Sequence, residues 1–348
     1  MSAAYSLLDR TLHRIAFARP GLQRRLALVE DDLFVKAPLA ALDRPVFVTG
    51  LARAGTTLTL SLLHGGDAFA SFTYRHMPFV MAPLLWARLT AAHQRTGAAR
   101  ERAHGDGMTV EYDSPEAFDE AIWLNLLGDR IVADDHLRPL GADAVTPDVR
   151  GVFRSSVQKL LQLEGRGRYL SKNNALMSRL PALRTVFPEA VVLVVIRDPA
   201  AHVASLMAQH ERFLAVHAED RFAADYMRWL GHYEFGEAFR PLGLGGVRRP
   251  AGVPDPAFWL DYWTKAYEAA AADPAVRLID YDALRAGGAG GLARLAAAAG
   301  LTPDPAFLAQ ADGLRAPTST PSEATLPPAE LRRARDLHAD LAGRAARD

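Results

Sequence analysis

The 348-residue sequence predicts an α/β fold in three layers: a central parallel sheet with helices on both faces and helical insertions. Three observations predict it. Val46-Phe47-Val48-Thr49 is a buried strand that passes through a glycine-bounded loop, Gly50-Leu51-Ala52-Arg53-Ala54-Gly55, into a helix opening at Thr56-Thr57. Val191–Ile196 is an unbroken run of β-branched and aliphatic residues, the pattern of a strand buried on both faces. Strand-like and helix-like segments then alternate along the chain, as parallel strands require for their crossovers.

Taken in order, Leu7, Leu8, Leu12 and Ile15 space an amphipathic helix over 2–17. The first strand, 46–49, leads into a helix over 56–63, a strand over 69–72 and a helix over 78–92. Ser114 as N-cap with Pro115 at the first helical position opens another helix. Helices over 149–164 and 175–187 flank a strand at 168–171, and the strand 191–196 hands over to a helix beginning at Pro199. Helices over 221–239 and 258–272 flank a Gly/Pro-rich excursion at 241–256. A late strand, 276–279, and a charged tail helix over 327–346 complete the chain. No polar linker divides it, so the expectation is one domain over 1–348, with a core at about 44–300, a helical N-terminal segment 1–40 and a C-terminal loop and helix 312–348.

Forty basic and forty acidic residues balance, which argues against nucleic acid as a partner. There is no cysteine, so disulfides and thiolate metal sites are excluded. No apolar run approaches the roughly 18 residues of a membrane span, and the first thirty residues carry Asp9, Arg10, Arg14 and Arg19 among their apolar positions. The expectation is a cytoplasmic enzyme. Oligomeric state has no signal in the sequence.

The loop at 50–55 has the build of a phosphate cradle. Glycines at both ends let backbone N–H groups turn inward, and the following helix adds the positive end of its dipole. The Gly50-to-Gly55 spacing equals that of a Walker A loop, but Thr56-Thr57 stands where Lys-Ser/Thr should follow. Without that lysine a triphosphate is disfavoured. The strand 191–196 ends in Arg197-Asp198-Pro199 rather than in a Mg²⁺-binding aspartate, and Ser205 lies eight residues on, so an arginine and a serine converge as for a second, isolated phosphate.

These segments resemble the sulfotransferases that use 3′-phosphoadenosine 5′-phosphosulfate (PAPS), and sit closer to bacterial and tyrosylprotein-type members than to the cytosolic phenol and steroid type. The residues that carry the resemblance are 49–58, Ile196-Arg197-Asp198-Pro199 through Ser205, and Tyr169-Leu170-Ser171-Lys172-Asn173-Asn174 leading to Phe187-Pro188. It runs from about 45 to 205, and more loosely through 280–284. It implies a P-loop nucleotide-triphosphatase-like fold and metal-independent, in-line transfer of a sulfuryl group to a hydroxyl or amine, leaving 3′,5′-adenosine bisphosphate. It also implies that Arg53, Ala54, Gly55, Thr56 and Thr57 hold the 5′-phosphate, that Arg197 and Ser205 take the 3′-phosphate, and that Lys172 lies by the transferred group. Ser319, in Thr318-Ser319-Thr320, resembles a late donor contact of the tyrosylprotein type.

The general base departs from the resemblance. Asn174 stands where cytosolic members carry histidine, and Thr73 where tyrosylprotein relatives carry glutamate. His76 is the nearest substitute, with Glu116, Glu120, His104 and Asp106 as competitors. His202, His210 and His217 read as scaffold or acceptor-pocket rim, because no carboxylate pattern completes a metal site with them. The acceptor stays open among small molecule, saccharide, lipid and peptide. Two other readings stand beside this one: a P-loop kinase-like phosphotransferase and a non-catalytic nucleotide-binding protein.

Overall fold

The computed structural model describes residues 16–17, 20–35, 39–90, 100–101, 109–110, 117–314 and 325–347. Five parallel strands form the central sheet: β1 (Val46–Thr49), β2 (Phe69–Ala70), β3 (Arg168–Lys172), β4 (Val191–Ile196) and β5 (Val276–Asp280). Their spatial order is β2-β3-β1-β4-β5. The chain leaves β1 for the far edge, returns to β3 beside it and then crosses to β4. The strand order therefore reverses at β1, and in open α/β sheets the crevice at the carboxyl ends of such strands is where ligands bind. The register sets Val48 opposite Lys172 and Thr49 opposite Val194.

Alternation along the strands divides the core in two. Phe47, Val192, Val194 and Ile196 face one layer, and Val46, Val48, Val191, Leu193 and Val195 face the other. Residues 191–196 are buried throughout, as expected of a strand covered on both sides. The larger layer contains α1 (Pro20–Phe34), α3 (Pro83–Thr90), α4 (Asp119–Ile131), α5 (Pro147–Glu164), α6 (Leu180–Val186), α7 (Pro199–Glu219), α8 (Arg221–Trp229), α9 (Pro256–Ala271) and α13 (Pro328–Ala345). The smaller contains α2 (Thr56–His64), α10 (Tyr281–Ala286), α11 (Gly288–Ala298) and α12 (Pro305–Ala309). Buried Lys159 on α5 reaches Glu30 and Asp31, each at 3.0 Å, and so ties α1 to the larger layer. Among the described residues no helix is long and apolar enough to cross a membrane.

Several boundaries differ from expectation. The helix predicted over 175–187 is split: a 3₁₀ turn, Asn174–Ser178, precedes α6. Pro181 is the reason, since a proline is accommodated in a first turn but not in a helix interior. The helix predicted over 221–239 stops at Trp229, because Gly231 takes a left-handed φ of 76°. The helix from Pro199 runs on to Glu219, capped by Asp198, whose side chain accepts from Ala201 N–H. The helix 2–17 falls almost wholly outside the described residues, as do the Ser114 cap, His104, Asp106, Glu116 and Ser319.

Glu120 is no solvated helix-face residue. Its carboxylate takes a bidentate pair of bonds from Arg179, at 2.6 and 2.9 Å, and a third from Asn173 Nδ2 at 2.7 Å. All three groups are buried, so the pair fixes α4 against the segment after β3, and Glu120 is engaged in structure rather than held out to a substrate. Its neighbour Asp119 is also buried, and neither of its oxygens meets a donor at good geometry. Burial pushes the Asp119 carboxyl up to about 7; Glu120 adds to the rise, while Ser171 and Arg179 oppose it.

The folded state therefore binds this proton more tightly than the unfolded chain does. The resulting stability is full below the ordinary carboxyl range and is lost as pH rises through about 7. Asp119→Asn, a neutral near-isostere, should leave stability near the wild-type value at pH 4 and raise it at pH 8 by on the order of a few kcal/mol. Thermal melts across that range check this. A gap between variant and wild type that does not widen with pH would contradict the assignment.

Candidate active site

The loop after β1 owes its shape to two glycines and to what lies behind them. Gly50, at φ 144°, passes so close to β4 that an added Cβ would lie 2.6 Å from the Val195 carbonyl oxygen. Gly55, at φ 102°, lies against the ring of Tyr281, which a Cβ would meet at 2.2 Å. Arg53 between them also adopts a left-handed φ, 71°, at a cost of about 1–2 kcal/mol for a residue with a side chain. Backbone strain of this kind persists only where surrounding bonds hold it.

Those bonds are present, and they act on the loop carbonyls. Leu51 O accepts from Ala54 N–H at 3.1 Å, Ala52 O accepts from His202 Nε2 at 2.8 Å, and Arg53 O accepts from Arg197 Nη1 at 2.9 Å. His202 is fixed in turn by Trp263, whose indole N–H donates to Nδ1 at 3.1 Å, so the proton resides on Nε2. Burial, together with the charges of Arg197 and Arg53, drives His202 down to about 3 and keeps it neutral. Tyr267 donates to Val195 O at 2.9 Å and pins the neighbouring end of β4. Three successive carbonyls are thus tied to the scaffold. Behind the loop, α2 starts at Thr56 with Gly55 as an N-cap that has no side chain to cap it. Its first-turn amides and dipole are left for a ligand.

Around this turn the structure gathers most of the residues predicted from sequence. Arg53 Nε donates to Ser205 Oγ at 3.2 Å, and with Arg197 on Arg53 O the three residues form one cluster. Arg197 lies over the Tyr281 ring at 5.2 Å, and its Nε, aimed inward, finds no hydrogen-bond partner. Ala54, Gly55, Thr56 and Thr57 complete the loop and the first turn of α2. Lys172 ends β3 beside β1 and is 4% exposed.

His76 is placed elsewhere. It closes a 3₁₀ turn at the sheet edge, where its Nδ1 accepts from Thr73 N–H at 3.0 Å and its Nε2 faces Glu164 at the end of α5, 3.3 Å away. Both nitrogens are engaged in structure, and the hydrogen bond from His76 lowers the Glu164 carboxyl. The geometry gives His76 a capping role and does not bring it to the loop.

The structure instead extends the site through Asn174. Its Oδ1 accepts from the Thr56 hydroxyl at 3.0 Å, and its Nδ2 donates to Glu234 Oε1 at 3.2 Å. Glu234 Oε2 lies 3.6 Å from His232 Nδ1. Burial alone would raise the Glu234 carboxyl, but the bond and charge of His232 and the charge of Lys172 outweigh it and bring it down to about 2. His210 and His217 accept the backbone N–H groups of Gly236 and Glu237, at 3.2 and 3.3 Å, and are scaffold. Sequence reasoning passed over Glu234. Its one signal was the His-x-Glu spacing between Gly231 and Gly236, which the apolar periodicity of the preceding helix concealed.

Comparison with known proteins agrees with this geometry. A profile described as "Sulfotransferase family" matches residues 45–242, which include the loop, Lys172, Arg197, Ser205 and Glu234. No curated protein matches the chain. Among solved structures, the sulfotransferase STF9 from Mycobacterium avium superposes with a TM-score of 0.53 at 15% identity, over 95% of this chain and 83% of that one, and shares the fold. The sulfotransferase STF1 from Mycobacterium tuberculosis H37Rv gives 0.49 at 19% identity, over 92% and 83%. A sulfotransferase domain from the curacin biosynthetic pathway gives 0.35 at 13%, over 78% of each chain. With the matched segment spanning more than half of its length and holding the anion loop and its facing arginine, the chain belongs to the sulfotransferase family.

Proposed function

We propose that the sulfuryl donor is PAPS and that the enzyme passes its sulfuryl group in line to an acceptor hydroxyl or amine, without a metal. The observation that carries this reading is the tied-back loop. With the carbonyls of residues 51–53 held by Ala54, His202 and Arg197, the turn offers amides to an anion, and it has no lysine for a triphosphate tail.

Arg53 and the amides of residues 55 and 56, with the Thr57 hydroxyl, would hold the 5′-phosphate as negative charge grows on the leaving oxygen, while the Ala54 N–H and the Thr56 hydroxyl shape the loop through Leu51 O and Asn174 Oδ1. Arg197 and Ser205 would hold the 3′-phosphate. The Ser205 hydroxyl can accept from Arg53 while donating its own proton to a phosphate oxygen. Lys172, a compact ammonium at the end of β3, suits the oxygens of the moving group better than a guanidinium fork would. What the donor supplies when bound is an activated sulfuryl group; the chain supplies position and positive charge. Ser319 remains a proposed donor contact on its resemblance alone. The acceptor is proposed only as far as its nucleophilic atom, on a small molecule, saccharide, lipid or peptide.

Thermal shift tests the donor. The wild type should be stabilised by 3′,5′-adenosine bisphosphate in the absence of Mg²⁺; stabilisation by ATP with Mg²⁺ alone would overturn the reading in favour of a kinase. Arg53→Ala should lower transfer of labelled sulfate from PAPS by about 100- to 1,000-fold, with a smaller effect on bisphosphate binding. Arg53→Gly relieves the left-handed backbone yet removes the same side chain, so it should be equally slow; recovery in the glycine variant would point to backbone strain instead. Arg197→Ala releases Arg53 O and so should weaken 5′-AMP as well, but it should weaken 3′,5′-adenosine bisphosphate by about 10-fold more than 5′-AMP, by calorimetry. Equal losses for the two nucleotides would remove Arg197 from the 3′-phosphate.

A further inference from the structure

A base must lie on the far side of the sulfur from the leaving phosphate, since in-line transfer sets entering and departing oxygens opposite each other. From the loop, a hydrogen-bonded path leads outward from Thr56 to Asn174 and on to Glu234, whose other carboxylate oxygen faces His232 Nδ1 at 3.6 Å. The turn that carries both residues is held at each end. Gly231, at φ 76°, lies so close to Glu120 that a Cβ would meet its Cγ at 2.4 Å, and Gly236, at φ 73°, would meet His217 at 2.6 Å. The backbone N–H of His232 donates to Met227 O at 2.9 Å, and Tyr233 O accepts from Arg240 N–H at 2.8 Å. Four residues between two pinned glycines thus present one imidazole and one carboxylate, the carboxylate beside Lys172.

We propose that His232 is the catalytic base that takes the proton of the acceptor, and that Glu234 positions it; this inference rests on the sulfuryl-transfer reading given above. The facing carboxylate calls for the ring proton on Nδ1, which leaves the lone pair on Nε2. The acceptor oxygen donates a lone pair to sulfur and its O–H proton passes to His232 Nε2. The bond between sulfur and the bridging oxygen breaks, and its electron pair stays on the 5′-phosphate, next to Arg53 and the loop amides. Glu234 offsets the positive charge the ring acquires, as the carboxylate of a catalytic triad does.

The competing groups are accounted for. Glu234 itself, held near 2 by His232 and Lys172, is ionised at neutral pH and too weak a base for the step. His202 has both nitrogens bonded, and His210 and His217 accept backbone amides. His76 faces Glu164. A second pair, His136 Nδ1 with Asp135 Oδ1 at 2.7 Å, belongs to the turn that meets residues 241–249. His232 is buried but for a 10% exposed edge, and Glu234 is 26% exposed. The other groups acting on Glu234 are Lys172 from β3, Asn174, and the phenol of Tyr262 on α9, which Glu234 pushes upward.

The test uses the full-length protein, labelled PAPS, and four acceptors: water, an aliphatic alcohol, phenol and 4-nitrophenol. His232→Gln and His232→Ala should keep the thermal shift with 3′,5′-adenosine bisphosphate and lower transfer to phenol by about 100- to 10,000-fold. The loss should be smaller for 4-nitrophenol, which ionises without help. Glu234→Gln should slow transfer to phenol by about 10-fold in kcat while leaving the KM for PAPS and the thermal shift with the bisphosphate unchanged, and Glu234→Asp should restore part of the loss. Equal losses for all acceptors, or full activity in the His232 variants, would overturn the proposal. So would a wild type that binds the bisphosphate but moves sulfate to none of the four. A wild type that does not bind the bisphosphate instead sinks the underlying reading.

Discussion

The site depends on the fastening of three carbonyls. A tight turn between two glycines exposes as many backbone acceptors as donors, and an anion would be repelled by the first as strongly as it is attracted by the second. Bonds from Ala54, His202 and Arg197 remove Leu51 O, Ala52 O and Arg53 O from the anion's side. The turn then acts as a set of donors backed by a helix dipole. It also explains why Arg53 holds a left-handed conformation: its carbonyl is anchored by Arg197 while its side chain reaches Ser205.

The sheet makes this fastening possible. Both faces of β4 are covered, so the strand is rigid, and it delivers Arg197 and the start of α7 at its carboxyl end beside the loop that follows β1. His202 lies one turn into α7 and Ser205 about one turn further, on the side that faces the loop. One helix therefore supplies a bond to the loop backbone and a bond to its side chain. The burial of His202 as a neutral ring, driven down to about 3, makes it a constant donor to Ala52 O across the working pH range of an enzyme.

How much of this was legible follows from how local each signal is. The loop, Arg197 and Ser205 were readable because glycine spacing, a six-residue apolar strand and an Asp-Pro helix start each have short-range physical causes. The contact of Arg197 with Arg53 O was not, since it joins residues far apart in sequence through the sheet register. His76 was favoured for its nearness in sequence to the second strand, and the fold turns it to α5 instead. Glu120 looked like a helix-face carboxylate until tertiary structure supplied Arg179 as its partner. His232 falls inside the helix expected over 221–239, because apolar spacing continues past Trp229. A single glycine, Gly231, breaks the helix there through its left-handed φ, and Glu120 leaves no room for a Cβ in its place.

Asn174 shows how a family position can change role without being emptied. In the cytosolic members that the sequence resembles, a histidine stands here and can take a proton. An amide cannot, but it has one acceptor and two donors on a short rigid plane. In this chain the acceptor end meets the Thr56 hydroxyl and the donor end meets Glu234, so the side chain bridges the anion loop and the carboxylate. Glu234 is brought near 2 by His232 and Lys172 together, so it is ionised at neutral pH. One amide side chain thus links the anion loop to the 231–236 turn, on which the proposed base stands.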